Sequence, residues 1–170
     1  MGKILVVDLA KCSGCRTCEN VCSLKHDGVC NPSLARIGVV KWEFEGIYLP
    51  VICQHCEEPM CAKSCPVGII TRHPETGAMV RDRDRCLGCK ACLLACPFGA
   101  PTLDLRDRKP ISCDLCDGDP TCAQFCPTEA LEFIKIENLG LHEKRNAIKK
   151  MQNISELTHR ALKTPVSSTK

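Results

Sequence analysis

Sixteen of the 17 cysteines in this 170-residue chain fall into four groups of four, and no other feature restricts the fold as strongly. The most regular group is Cys86-Leu-Gly-Cys89-Lys-Ala-Cys92-Leu-Leu-Ala-Cys96-Pro97, with spacings of three, three and four. Three thiols this close let one tight loop wrap three corners of a cubane iron-sulfur cluster, while the fourth, a helical turn further on, points toward a second cluster. Gly88 suits the point where the backbone must curl closely and turn its amides toward sulfide. Ala91, Leu93, Leu94 and Ala95 favour helix and are expected to keep water from the cluster. Pro97 stops that helix, because its ring cannot continue the hydrogen-bond ladder.

The remaining groups read as copies of this unit. Cys12, Cys15, Cys18 and Cys22 repeat the same spacing after a short β-branched strand at 3–8. Ser23 stands where the proline would be, so this helix is expected to run through Leu24 and Lys25 and break near Gly28. Cys53, Cys56, Cys61 and Cys65 are spaced three, five and four, and Cys113, Cys116, Cys122 and Cys126 three, six and four; Pro66 and Pro127 follow the last thiol of each. One unit present four times is an internal repeat. Between the copies, residues 34–52 read as two apolar segments broken at Glu45-Gly46, a hairpin or pair of strands. Residues 67–82 read as a hairpin turning at Pro74-Glu-Thr-Gly77, and Phe98–Leu105 and Thr128–Ile136 as short strands trailing their quartets. His55, inside a quartet that already holds four thiols, is read as a surface or hydrogen-bonding residue. Asp114, Asp117 and Asp119 lack the length and closing Glu of a calcium loop and are read as turn and solvent residues. Cys30 belongs to no quartet and is expected to be a buried or half-buried thiol that ligates no metal.

Cysteine at this density implies a disulfide scaffold or a metal scaffold, and compartment decides between them. The start Met-Gly-Lys-Ile-Leu-Val-Val-Asp has no h-region, cleavage site or twin arginine, which points to the cytoplasm and to reduced thiols. No apolar run approaches the roughly 18 residues that span a bilayer, so direct membrane insertion is not expected. Structural zinc would use two close pairs of ligands per ion, which leaves the third cysteine of each quartet and the recurring Cys-Pro without a reason. A cluster-containing regulatory or nucleic-acid-binding module is the non-redox alternative. It would need a basic face with stacking aromatics, but aromatics are 4% of the chain and residues 1–138 carry 16 Lys and Arg against 18 Asp and Glu. No nucleophile with a base, phosphate loop or paired acid is present, so the reading is a non-catalytic electron carrier.

Residues 139–170 lie beyond every quartet and carry 7 Lys and Arg against 2 Asp and Glu. Ala147, Ile148, Met151, Ile154, Leu157 and Ala161 fall at helical spacing, which predicts a helix over about 142–162 with one apolar stripe flanked by Lys144, Lys149, Lys150 and Arg160. Without Trp or Phe on the stripe, a membrane-surface helix is disfavoured. Docking on a catalytic subunit or on a second copy of the chain is expected, with packing on the chain's own body as the alternative.

The sixteen grouped cysteines resemble those of the four-cluster iron-sulfur subunits that accompany molybdenum and tungsten oxidoreductases, such as the electron-transfer subunit of dimethyl sulfoxide reductase. The short chain, Ser23-Leu-Lys-His-Asp-Gly28, Leu34-Ala-Arg-Ile37 and Cys53-Gln-His-Cys-Glu-Glu-Pro59 are similar to the small subunits of tungsten-dependent aldehyde oxidoreductases and benzoyl-CoA reductase complexes. This resemblance implies an α+β fold of two nested bacterial-ferredoxin-like modules, the first quartet pairing with the fourth and the second with the third, plus a helical C-terminal tail. The corresponding segments are 1–48 and 106–138 for the outer module, 49–105 for the inner one and 139–170 for the tail. It implies four [4Fe-4S] clusters: one on Cys12, Cys15, Cys18 and Cys126; one on Cys22, Cys113, Cys116 and Cys122; one on Cys53, Cys56, Cys61 and Cys96; one on Cys65, Cys86, Cys89 and Cys92. Some relatives replace the cysteine at the position of Cys89 and carry a three-iron cluster; here the thiol is present. The implied partners are a catalytic subunit of the molybdenum or tungsten type, a flavin subunit linked to NAD or a ferredoxin-like acceptor, and further copies of the chain. The iron-sulfur subunit of a carbon monoxide dehydrogenase, hydrogenase or formate dehydrogenase stays open as an alternative.

Overall fold

The computed structural model describes residues 2–145, 147–148 and 151. Its strands form two-stranded ribbons, and apart from one helix near the start its helices between the ribbons are single turns. Strand β1 (Lys3–Val7) pairs with β8 (Leu131–Lys135), which sets the strand before the first quartet beside the strand after the fourth. Strands β2 (Gly38–Trp42) and β3 (Ile47–Val51) are antiparallel, with Gly38 opposite Val51 and Trp42 opposite Ile47. Strands β4 (Ile70–Arg72) and β5 (Met79–Arg81) are antiparallel with Ile70 opposite Arg81. Both hairpins turn where the sequence places Glu45-Gly46 and Pro74–Gly77.

A further ribbon, β6 (Thr102–Leu103) with β7 (Pro110–Ile111), is not legible in the sequence. The strand expected over 98–105 is cut to two residues. Pro101 has no N–H to extend the ladder, and the Asp104 N–H bonds the Lys109 carbonyl at 3.0 Å, closing a turn instead.

Helix α1 (Thr17–Asp27) does run on past Ser23 and ends at Gly28, whose φ of 70° places it in the left-handed region with its N–H on the Leu24 carbonyl. Ser23 is fully buried; its hydroxyl donates to the Asn20 carbonyl at 3.0 Å and accepts from the Asn31 N–H at 2.9 Å, tying the following loop to the helix. Helices α2 (Met60–Lys63), α3 (Ala91–Leu94) and α4 (Thr121–Gln124) precede the Cys-Pro of their quartets. On α3 the expectation that Leu94 shields a cluster fails: Leu94 is 89% exposed while Cys92 is buried. At 100° per residue, a residue two positions on from Cys92 faces roughly the opposite way.

The interior is made largely of the quartets. One core joins Leu5, Ile37, Val39, Ile52, Leu115 and Leu131 to Cys18, Cys22, Cys113 and Cys122; a second joins Ile69, Ile70 and Met79 to Cys92. Burying each aliphatic side chain contributes about 1.5–3 kcal/mol. Cys30, by contrast, is exposed, correcting the expectation of a buried or half-buried thiol. It lies on the loop that leaves the Gly28 cap and enters the 3-10 turn Pro32–Leu34.

Gly2–Phe133 is one compact unit, and the segment from Ile134 belongs to another. In the latter, residues 139–145, 147–148 and 151 are helical, so the helix starts before the expected position near His142. Ile148 and Met151 are exposed. Ile154, Leu157, Ala161, Lys149, Lys150 and Arg160 lie outside the described residues. Among the described residues no helix is long and apolar enough to cross a membrane.

Candidate iron-sulfur sites

The four quartets share a backbone conformation that their side chains do not reveal. The residue before the second cysteine has positive φ in every copy: Gly14 at 68°, His55 at 46°, Gly88 at 67° and Leu115 at 60°. Successive amides in such a turn face inward and form a pocket for negative charge. In the three copies ending in Cys-Pro, the third residue after the cysteine is also left-handed: Gly68, Gly99 and Glu129. Each donates its N–H to the carbonyl of that cysteine, at 3.3, 3.3 and 3.2 Å.

These loops aim the thiols at common spaces. Cys12, Cys15 and Cys18 line one cavity with Cys126 from the other end of the sequence. Cys53, Cys56 and Cys61 line a second with Cys96, and Cys86, Cys89 and Cys92 a third with Cys65. Cys22, Cys113 and Cys122 are buried in one core, together with Cys18. In each of the three cavities the first three thiols of one quartet meet the last thiol of another, and Cys30 lines none of the three.

Burial controls the chemistry of the deepest thiols. It pushes Cys18 and Cys113 up to about 12 and Cys122 higher still, and raises Cys22, Cys53 and Cys61. Such thiols become thiolates only where a cation compensates the charge. Hydrogen-bond donors help: the N–H groups of Arg36, Leu115 and Gly88 point at Cys22, Cys113 and Cys86 Sγ at 3.3, 3.4 and 3.5 Å. The Thr17 hydroxyl, 3.4 Å from Cys15 Sγ, lowers that thiol. At Cys65 burial is outweighed by the backbone amides of Ile69, Val67 and Gly68, and the thiol is lowered.

No carboxylate lines any of the three cavities. Arg81 Nε is buried without a protein acceptor, so a polar atom waits for a partner the polypeptide does not supply. Four converging thiols, inward amides, apolar walls and an orphaned cationic donor suit a thiolate-ligated cubane, which is an anion.

Two residues stand differently from their sequence reading. His55 is a hydrogen-bonding residue but not a surface one: its Nδ1 accepts from the Met79 N–H at 2.9 Å, and burial together with Arg72 brings it down to about 4. Asp114 is not a solvent residue. Its Oδ1 accepts from the Cys116 N–H at 3.0 Å, and its carboxylate pairs with Arg36 and lies 3.5 Å from His26 Nε2. That nitrogen is 3.6 Å from Cys116 Sγ. Asp119 remains a turn residue, held by Gln124. Arg36, His26 and Arg81 are invisible as site residues in the sequence because each meets its partner across the fold, Arg36 at Asp114, His26 at Cys116 and Arg81 at Cys92, rather than at a fixed spacing from it; one available signal is Arg81 at a strand position where an inward apolar residue is the norm.

The 4Fe-4S dicluster domain family matches residues 44–136, more than half of the chain, and a 4Fe-4S binding domain matches residues 9–25. The polyferredoxin-like subunit of an aliphatic sulfonate oxidoreductase from Pyrococcus furiosus is 39% identical over 126 residues, covering 74% of this chain and 72% of that one. A subunit of the anaerobic dimethyl sulfoxide reductase of Escherichia coli is 36% identical over 151 residues, covering 78% of this chain and 73% of the relative. Among solved structures, the BamBC active-site complex of benzoyl coenzyme A reductase with benzoyl-CoA contains a chain 25% identical, with a TM-score of 0.47 over 90% of this chain and 96% of that one. The chain belongs to the family of polyferredoxin-like iron-sulfur subunits, which carry [4Fe-4S] clusters, here four, and transfer electrons in oxidoreductase complexes.

Proposed function

We propose that the chain is a non-catalytic, cytoplasmic relay whose clusters sit in two nested ferredoxin-like modules and connect a molybdenum- or tungsten-type catalytic subunit to a flavin subunit or a ferredoxin-like acceptor. The outer module, 1–48 with 106–138, holds one cluster on Cys12, Cys15, Cys18 and Cys126 and another on Cys22, Cys113, Cys116 and Cys122. The inner module, 49–105, holds one on Cys53, Cys56, Cys61 and Cys96 and another on Cys65, Cys86, Cys89 and Cys92. The observation that supports this reading is that, in three separate cavities, the first three thiols of one quartet and the last thiol of another line the same space. The pairing of β1 with β8 supports the outer module.

Each [4Fe-4S] cluster, when bound, takes up and releases one electron at a time. The chain's own residues supply the rest. Sixteen thiolates fix the positions, the aliphatic cores exclude water, and the N–H groups of Arg36, Leu115 and Gly88 stabilise charge on sulfur. The two relatives above are subunits of a reductase and of an oxidoreductase, which supports a catalytic partner. The tail from residue 139 is assigned to docking on that partner or on a second copy.

Anaerobically purified protein should contain about sixteen iron and sixteen sulfide per chain, four of each per cubane. Zinc near four per chain without sulfide would overturn the account. Cys126→Ser should disturb the cluster of Cys12, Cys15 and Cys18, whereas damage confined to that of Cys113, Cys116 and Cys122 would refute the nesting. Affinity purification of the chain, with tungsten and molybdenum measured in whatever large subunit follows it, tests the partner; a nickel enzyme in that fraction would replace it.

A further inference from the structure

We infer that Arg81 sets the reduction potentials of the two inner clusters together, by holding one uncompensated positive charge between them. The inference rests on the ligand assignment proposed above for the inner module.

Arg81 is the last residue of β5, and by strand alternation it shares a face with Met79, which is buried in the core beside Cys92. A guanidinium therefore occupies a position where the pattern calls for an apolar side chain. It lines both inner cavities, the one shared by Cys53, Cys56, Cys61 and Cys96 and the one shared by Cys65, Cys86, Cys89 and Cys92. One terminal nitrogen lies 3.4 Å from Cys92 Sγ and 3.4 Å from the Pro110 carbonyl, and the other donates to the Ser112 hydroxyl at 3.0 Å. Its Nε is buried with no acceptor among the described residues. The planar fork is thus anchored by a carbonyl and a hydroxyl, and its charge is left to face the thiolate of Cys92 and the cluster that thiolate would hold.

Four other arginines of this body pair with carboxylates: Arg83 with Asp104 and Asp107, Arg106 with Asp104 and Asp27, Arg36 with Asp114, and Arg16 with Glu19. Arg72 bonds the carbonyls of His55, Cys56 and Gly77 at the exposed edge and lines neither inner cavity. Among the described residues no carboxylate lies within ion-pairing distance of Arg81. A half-buried cation without a partner is costly, so the fold retains it for anions it faces. Reduction adds one negative charge to a thiolate-ligated cubane, and a fixed cation in a poorly screened interior stabilises the more negative state. Arg81 therefore raises both inner couples. The outer sites have no equivalent: the cavity of Cys12, Cys15, Cys18 and Cys126 is lined by Arg16, but that side chain is bonded to Glu19 at 2.7 Å.

The test is a redox titration of the intact four-cluster protein followed by electron paramagnetic resonance, with Cys61→Ser and Cys86→Ser identifying the inner signals by their loss. Arg81→Met should lower the reduction equilibrium constant of both inner clusters at least tenfold, 59 mV for a one-electron couple, while the outer couples stay in place. Arg81→Lys, which keeps the charge, should restore most of the shift. If Arg81→Met loses iron, Arg81→Gln, which keeps a polar contact for Ser112 without the charge, is read in the same way. Inner couples that do not move in an iron-replete variant, or four couples that move equally, would overturn the inference. If the signals that Arg81→Met moves are not those removed by Cys61→Ser and Cys86→Ser, the ligand assignment itself falls.

Discussion

Of the proposed ligand sets, Cys22, Cys113, Cys116 and Cys122 and Cys65, Cys86, Cys89 and Cys92 are alike in kind, three thiols of one quartet with the last thiol of another, yet one is part of the core and the other lies near the surface. In the first, Cys22, Cys113 and Cys122 are buried against Leu115 and Ile37, with Arg36, Asp114 and His26 beside the half-buried Cys116. In the second, only Cys92 is buried, Cys89 is exposed, and the neighbouring Leu87 and Leu94 are exposed too. Loop length separates them: the fourth quartet has Asp117-Gly-Asp-Pro-Thr121 between its second and third thiols, while the second of the compact quartets has Lys90-Ala91 there. Water stabilises the more highly charged state, so the two sites are built to differ in potential and in access to oxidants.

The largest expected effect is on folding. Cys113→Ser puts a hydroxyl into the main core and removes a ligand there, so it should cost the whole Gly2–Phe133 body its cooperative melt and most of its iron. Cys89→Ser, at the surface, should cost at most about four iron and leave a measurable transition. Iron analysis with thermal unfolding separates the two; equal damage would show that burial does not distinguish the sites.

Next comes the clamp beside the shallow site. Asp104 is 1% exposed, and its carboxylate accepts from Arg83 at 3.0 Å and Arg106 at 2.8 Å; Arg106 also bonds Asp27 at the end of α1. The Arg106 hydrogen bonds outweigh burial's opposing pull and hold this carboxyl far below the usual carboxylate range. Because the folded value is depressed, the stabilisation is present above the unfolded value near 4 and is lost as pH falls through it toward the folded one. Asp104→Ala should cost about 3 kcal/mol at neutral pH, at the low end for a buried pair because Arg106 is half exposed. Its stability should also fall less steeply in acid than that of the unaltered chain; parallel acid profiles would show that the clamp contributes nothing.

Smaller again is the contrast between two glycines with the same φ. A Cβ on Gly14 would sit 2.5 Å from the Tyr48 ring, whereas one on Gly88 would meet nothing nearer than the Arg108 carbonyl at 3.5 Å. Gly88→Ala should cost about 1 kcal/mol from the left-handed backbone alone, and Gly14→Ala about 2 kcal/mol once overpacking is added. Denaturant midpoints that rank them the other way would mean that Tyr48 moves aside freely.

These contrasts also mark where sequence reading stops. Spacing fixes the four units, and Gly28, Glu45-Gly46 and Pro74–Gly77 announce their turns because each residue acts on its own backbone. The left-handed turns at His55 and Leu115 carry no such label; there the loop's closure overrides local preference. Arg81 and His26 reach the thiols, and Arg36 reaches Asp114, through tertiary contacts, which no spacing rule encodes. The exposure of Cys30 escapes sequence reading for the same reason, since burial depends on what packs over a residue.

Cys30 supplies the smallest effect and the sharpest control on the comparison. Cys30 and Cys89 are both exposed, so accessibility alone predicts equal reactivity, whereas a ligand's thiolate is held by iron. With clusters in place, a maleimide should label Cys30 and spare Cys89; after iron is removed by chelation and oxidation it should label both. Cys30→Ser should leave iron content and the reduced paramagnetic spectrum unchanged and shift stability by no more than about 0.5 kcal/mol, as for other surface changes. Loss of about four iron on that substitution would place Cys30 in the ligand set and undo the division of the sixteen thiols into four groups.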